Sequence, residues 1–355
     1  MRGKTFIAHD ELPEVLERLS KTMDVWIPTA INDEKCVIQF LPYQPDRLPV
    51  LDRQSTMPPK KVIFPQVETL LHFSRKKDEN DPFKSHIELE DEEEVSPVLV
   101  FGARPCDVRG FLVFDEVYLN GPYKDPYYAK RREKTLFATL VCETSDNACF
   151  CSAVGSGPAD QTGSDLWIIP VDSGYVIEAL TKRAENLMPE MGKDATEAQI
   201  AEAQNVQKKV AALHIGEGDL TQSSDDFEDR FSDNEFWRDM AFKCISCGIC
   251  TYVCPTCYCF NITDEAKDLD GERIRSWDSC MFNHYTREAS GHNPRPSKLE
   301  RYRNRIGHKF SYFPKKYKGM IACCGCGRCI RRCPVALDIR NVVLSLKKNK
   351  ENVDV

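Results

Sequence analysis

Two cysteine runs constrain this chain more than anything else in it. The first, "CISCGICTYVCP" (244–255), reads Cys244-x2-Cys247-x2-Cys250-x3-Cys254-Pro255. The second, "CCGCGRCIRRCP" (323–334), reads Cys323-x2-Cys326-x2-Cys329-x3-Cys333-Pro334. A cubane cluster needs three thiolates converging from one short loop. C-x2-C-x2-C spacing wraps one corner of a cluster, with backbone N–H groups turned in toward the sulfides. The fourth cysteine of each run then belongs to the other cluster. The spacing therefore predicts one 4Fe–4S cluster on Cys244, Cys247, Cys250 and Cys333, and a second on Cys323, Cys326, Cys329 and Cys254. Cys324 adjoins Cys323 but does not satisfy the spacing. Zinc is the competing metal, since zinc ribbons use four thiolates on two C-x2-C knuckles. A three-cysteine loop plus Cys-Pro, occurring twice, fits it poorly.

Composition sets the context. The chain has 355 residues and 17 cysteines, with 41% hydrophobic and 29% charged residues, an ordinary globular balance. No apolar stretch approaches the roughly 18 residues needed to span a bilayer. The N-terminal "MRGKTFIAHDELPEVLERL" lacks the apolar segment of a signal peptide, so a cytoplasmic location is expected. There, cysteines are expected to serve as metal or cluster ligands rather than disulfides. Charge is unevenly placed along the chain. "ELEDEEE" (88–94) is acidic, and "RPSKLERYRNRIGHKFSYFPKKYK" (295–318) carries nine Lys/Arg against the single Glu300. Both read as solvated surface or as partner-docking faces rather than as nucleic-acid sites.

Cysteine density also suggests how the chain divides. Five cysteines fall in the first ~230 residues and twelve in the remainder. "SPVLVF" (96–101), "VRGFLVFDEVYL" (108–119) and "TLFATLVC" (135–142) read as strand, helix and strand. "DLWIIPVDSGYVIEAL" reads as two strands joined by a turn at Asp172, Ser173 and Gly174. Residues 181–213 read as helical, and the polar, acidic stretch 216–233 as a linker. The expected fold is an α/β N-terminal domain (1–230) and a small α+β two-cluster ferredoxin-like C-terminal domain (231–355). The latter carries a long insertion between Cys254 and Cys323.

Further cysteines lie outside the two runs. Cys106 follows the first strand of the expected βαβ unit, Cys142 ends the next, and Cys149 and Cys151 come shortly after. In a parallel sheet the C-terminal strand ends lie side by side. These four thiols are thus expected to meet at one sheet edge and to hold a third 4Fe–4S cluster, with four-thiolate zinc or free thiols as alternatives. Cys36 reads as a structural strand residue. The insertion adds Cys257, Cys259 and Cys280, read as packing residues or as a further metal site with His284 or His292; their spacing matches no known pattern.

The chain resembles the iron–sulfur (beta) subunits of cytoplasmic sulfhydrogenases and the corresponding iron–sulfur subunits of anaerobic sulfite reductases. The resemblance runs from about residue 58 to 340. It is carried by "PPKKVIFPQVE", "FGARPCDVRGFLVFDEVYL", "DPYYAKRRE", "CFCSAVGSGP", "CGICTYVCPTCYCFNITDE", "WDSCMF", "GHNPRP" and "RCIRRCPVALDI". It implies an electron-transfer subunit without a catalytic site of its own. Electrons would pass between an FAD/NAD(P)-binding flavoprotein partner and a catalytic subunit of the hydrogenase, sulfite- or sulfur-reductase, or heterodisulfide-reductase type. The sequence agrees: it holds no G-x-G-x-x-G fingerprint and no P-loop, and "GSGP" (155–158) is too short for a nucleotide loop. Neither a Ser/His/Asp nor a paired-carboxylate constellation stands out. A zinc-stabilised interaction module, a cluster-bearing nucleic-acid enzyme and a reductase with its own flavin are the competing classes.

Overall fold

The computed structural model describes residues 3–31, 37–78, 80–81, 83–91 and 94–347. Cys36, and Glu92 and Glu93 of the acidic run, lie outside the described residues. The strands, in chain order, begin with β1 (Lys4–Ala8), β2 (Asp24–Ala30), β3 (Ile38–Pro42) and β4 (Val67–Lys77). β5 (Ser85–Glu90), β6 (Val98–Ala103), β7 (Thr135–Leu140) and β8 (Leu166–Val171) follow. β9 (Gly174–Ala179), β10 (Lys193–Asp194), β11 (Phe260–Lys267) and β12 (Asp270–Trp277) complete the set.

The larger sheet has the order β10-β1-β9-β8-β7-β6-β2-β3. Its centre, β2, β6, β7 and β8, is parallel, and antiparallel strands close both edges. All six residues of β6 are buried, as a strand covered on both faces requires. Leu99 and Phe101 pack with Leu16 and Leu19 of helix Leu12–Ser20 on one face. Val98 and Val100 pack with Phe111 and Phe114 of helix Pro105–Tyr118 on the other. Helix Glu197–Ala211 covers Trp167 and Ile169 of β8 through Ala203 and Val210. The expected strand–helix–strand unit is present as β6, helix Pro105–Tyr118 and β7, and β8–β9 form the expected hairpin.

Two segments differ from expectation. The stretch read as a linker is packed: it forms helix Ser223–Asp229, and Leu220 and Phe227 are fully buried beside Trp237 and Phe310. Its apolar residues are too sparse to announce a helix, yet those two suffice to anchor it. The region read as helical from 181 breaks into Lys182–Glu185, Met188–Met191 and the short β10 before helix Glu197–Ala211. Pro189 and Gly192 provide the physical reason.

The smaller sheet, β11-β12-β4-β5, is antiparallel and takes two strands from each half of the sequence. At its base a buried ionic network ties β4 to β12. Glu68 accepts from Arg275 Nε at 2.5 Å and from Arg131 at 2.5 Å, and Arg275 also reaches Asp125. Trp277 Nε1 donates to the Phe64 carbonyl at 3.1 Å, with the two rings stacked. Helix Pro105–Tyr118 reaches the first cysteine run as well: a Cβ on Gly110 would lie 2.7 Å from the Pro255 carbonyl oxygen.

Candidate iron–sulfur centres

The two cysteine runs fold alike. Ser246 and Gly248 in the first, and Gly325 and Gly327 in the second, occupy equivalent positions and all have positive φ, from 55° to 75°. Such left-handed turns direct successive N–H groups into a concavity suited to anionic sulfur. Ser246 N–H points at Cys244 Sγ at 3.4 Å. In the second run Gly325 N–H donates to Cys323, and Arg328 N–H to Cys326. Each loop runs into a one-turn helix, Ile249–Tyr252 and Arg328–Arg331, whose last turn delivers the fourth cysteine.

That fourth cysteine lies with the opposite run. Cys333 lines one cavity together with Cys244, Cys247 and Cys250, where Tyr302, Arg305 and Leu337 complete the wall. Leu337 N–H donates to Cys333 Sγ at 3.3 Å. Cys254 lies within electrostatic reach of Cys323, Cys326 and Cys329. Burial pushes the Cys323 thiol up to about 11 and Cys329 up to about 12. The adjacent Cys324 S–H donates to Cys326 and holds it down at about 7. Thiols raised by burial ionise on binding a metal, which couples ligation to proton release.

Sequence reading missed the buried cations around these sulfurs. Lys309, 3% exposed, points its Nζ at Cys254 Sγ (3.4 Å), Thr256 Oγ1 (2.9 Å) and the Ala322 carbonyl (3.0 Å). Burial opposes its charge, but the sulfurs of Cys254, Cys257 and Cys323 outweigh that and raise its pKa. Arg305, 4% exposed, lies between Cys250 of one run and Cys329 of the other. Arg328 pairs with Asp107 at 2.6 Å while sensing both Cys326 and Cys106. The available signal was a basic residue inside an apolar stretch, as with Lys309 between His308 and Phe310.

The four N-terminal cysteines also gather. β6 and β7 are parallel neighbours; Cys106 lies in the first turn of the helix after β6, and Cys142 two residues beyond β7. Cys151 lies within charge range of Cys142 and Cys149, and Cys106 within range of Cys142. Gln54 Nε2 donates to Cys106 Sγ at 3.1 Å. Burial raises all four thiols, Cys151 to about 12. The group is laid against the second run: Phe150 N–H donates to the Gly325 carbonyl at 2.8 Å. A Cβ on Gly325 would lie 2.5 Å from Cys151 N, so only glycine permits this approach. Of the insertion residues, Cys257, Cys259 and Cys280 come together, whereas His284 and His292 are exposed and lie outside the group.

The donor set suits clusters better than single ions. A zinc site gathers four ligands at about 2.3 Å around one point. Among the described residues no three His, Cys, Asp or Glu side chains converge in that way. A cubane spreads its thiolates around four irons, as loops lining a cavity do.

The family model for a 4Fe-4S dicluster domain matches residues 243–337. Over 247 residues, 68% of this chain and 71% of its relative, the sequence is 30% identical to sulfhydrogenase 2 subunit beta of Pyrococcus furiosus. The chain belongs to the sulfhydrogenase beta-subunit family. No solved structure matches it. As a member of that family it is an iron–sulfur electron-transfer subunit that carries 4Fe–4S clusters. No helix among the described residues is long and apolar enough to cross a membrane.

Proposed function

We propose that this beta subunit relays single electrons, within a cytoplasmic multi-subunit oxidoreductase, between an FAD/NAD(P)-binding partner and a catalytic subunit. The catalytic subunit is of the hydrogenase, sulfite- or sulfur-reductase, or heterodisulfide-reductase type. Cys244, Cys247, Cys250 and Cys333 hold one 4Fe–4S cluster, and Cys323, Cys326, Cys329 and Cys254 a second. Cys106, Cys142, Cys149 and Cys151 hold a third. The clusters supply one-electron redox chemistry; the chain supplies burial, N–H···S bonds and positive charge, which set their potentials. The observation that carries the reading is Cys333 in one cavity with the first run, the crossed pattern of a paired-cluster relay.

Contact between the N-terminal cysteine group and the second run supports a continuous path. Arg328 bridges the two groups through Asp107, and its guanidinium favours the reduced, more negative state of sulfur centres on either side. The test uses the purified full-length chain under anaerobic conditions. Alone it is expected to show no cluster bleaching with NAD(P)H, and bleaching is expected once its flavoprotein partner is added. Rapid bleaching by NAD(P)H with the chain alone would overturn the relay.

A further inference from the structure

Cys257, Cys259 and Cys280 belong to none of the three ligand sets above, yet the fold assembles them. Phe260 and Trp277 pair at the open end of the β11–β12 hairpin. Asp278 N–H extends that ladder by one bond, to the Cys259 carbonyl at 2.9 Å. The two segments leaving the hairpin therefore run side by side. Tyr258 turns its ring into the aromatic cluster of Phe114 and Tyr118, with centroids at 5.7 and 5.9 Å. The cysteines flanking it project away from that cluster. Cys280 S–H and Tyr285 O–H both donate to the Cys259 sulfur, and Cys280 lies within charge range of Cys257.

Lys60 supplies a second, independent observation. It is 3% exposed, and its ammonium donates to two carbonyl oxygens, of Thr251 at 3.2 Å and Cys257 at 3.1 Å, while lying 3.9 Å over the Trp277 ring. A buried ammonium is costly without a nearby negative charge. The groups of that sign within its range are the sulfurs of Cys257, Cys254 and Cys259. Neutral thiols would not meet the need; metal-bound thiolates would.

We infer that Cys257, Cys259 and Cys280 hold a further iron–sulfur cluster on three thiolates, with the Tyr285 hydroxyl beside its fourth corner and Lys60 as its buried counter-charge. A mononuclear ion is disfavoured because these side chains do not converge on one point. His284 is not the fourth ligand: its side chain is 70% exposed and pairs with Asp278 at 3.5 Å. Through Cys257 the site touches Cys254, and through Cys280 it faces Cys250, so it adjoins both ferredoxin-type runs.

The test is made on the full chain, purified anaerobically with its clusters loaded. The Cys259→Ser/Cys280→Ser double variant is expected to lose about four irons and as many labile sulfides, or about three if the cluster is a three-iron one. One EPR signal should vanish with them, while the signals that respond to Cys244→Ala, Cys323→Ala and Cys149→Ala persist as references. Tyr285→Phe should keep the iron and shift the g-values of the same signal. A folded double variant with its full iron, sulfide and EPR spectrum would overturn the inference, as would stoichiometric zinc lost in place of iron. Should the double variant fail to fold, Cys280→Ser alone decides, because its oxygen can still occupy the ligand position. A shift confined to one signal supports the site, and an unchanged spectrum removes it.

Discussion

Lys309 shows how a single buried side chain is set against the sulfur chemistry. Its ammonium is held by Thr256 and the Ala322 carbonyl and aimed at Cys254. Reduction adds negative charge to the sulfur centre beside it, so the cation stabilises the reduced form more than the oxidised one. Lys309→Met should lower the midpoint potential of the cluster ligated by Cys254 by on the order of 60 mV, about 1.4 kcal/mol for one electron. An EPR-monitored redox titration would read the shift, with the cluster of Cys244 as internal control. Equal shifts in both clusters would point to a general structural change instead. Nothing in the spacing of the sequence foretells this role. A lysine between His308 and Phe310 becomes informative only when the fold buries it among cysteines distant in sequence.

At the level of elements, the small sheet joins residues 67–90 to the insertion between the cysteine runs. Its base rests on Glu68, placed between Arg275 and Arg131 with its side chain 4% exposed. Removing one partner of a buried network strands the other charges, which typically costs about 3–5 kcal/mol. Glu68→Ala should destabilise the protein by about that amount, as read by anaerobic denaturant unfolding; a loss below about 1 kcal/mol, as for exposed ion pairs, would contradict the burial argument. The local signals were legible in advance. β6, its helix and β7 follow from the apolar run and the amphipathic stretch, and β8–β9 from a turn at Asp172 and Ser173. The β4–β12 pairing was not legible, because strands some 200 positions apart carry no mutual signature when both faces are largely solvated. Helix Ser223–Asp229 was hidden for a related reason: two buried apolar residues, Leu220 and Phe227, anchor an otherwise acidic stretch.

On the scale of the whole molecule, the cysteine groups succeed one another through direct contact. The N-terminal group meets the second run at Gly325, the second run meets Cys254 of the first, and helix Pro105–Tyr118 is pressed against Pro255. If the N-terminal group holds a cluster, Cys149→Ala should lower anaerobic iron by about four per chain and leave the other clusters loaded. An unchanged iron content would remove that cluster from the path. The central claim is crossed ligation, with each fourth cysteine serving the cluster of the opposite run. EPR of the reduced, fully loaded chain tests it most directly. Cys254→Ala and Cys323→Ala should perturb one and the same signal, and Cys333→Ala should perturb the signal affected by Cys244→Ala. If Cys254→Ala and Cys244→Ala instead alter the same signal, each run builds its own cluster and the account is contradicted.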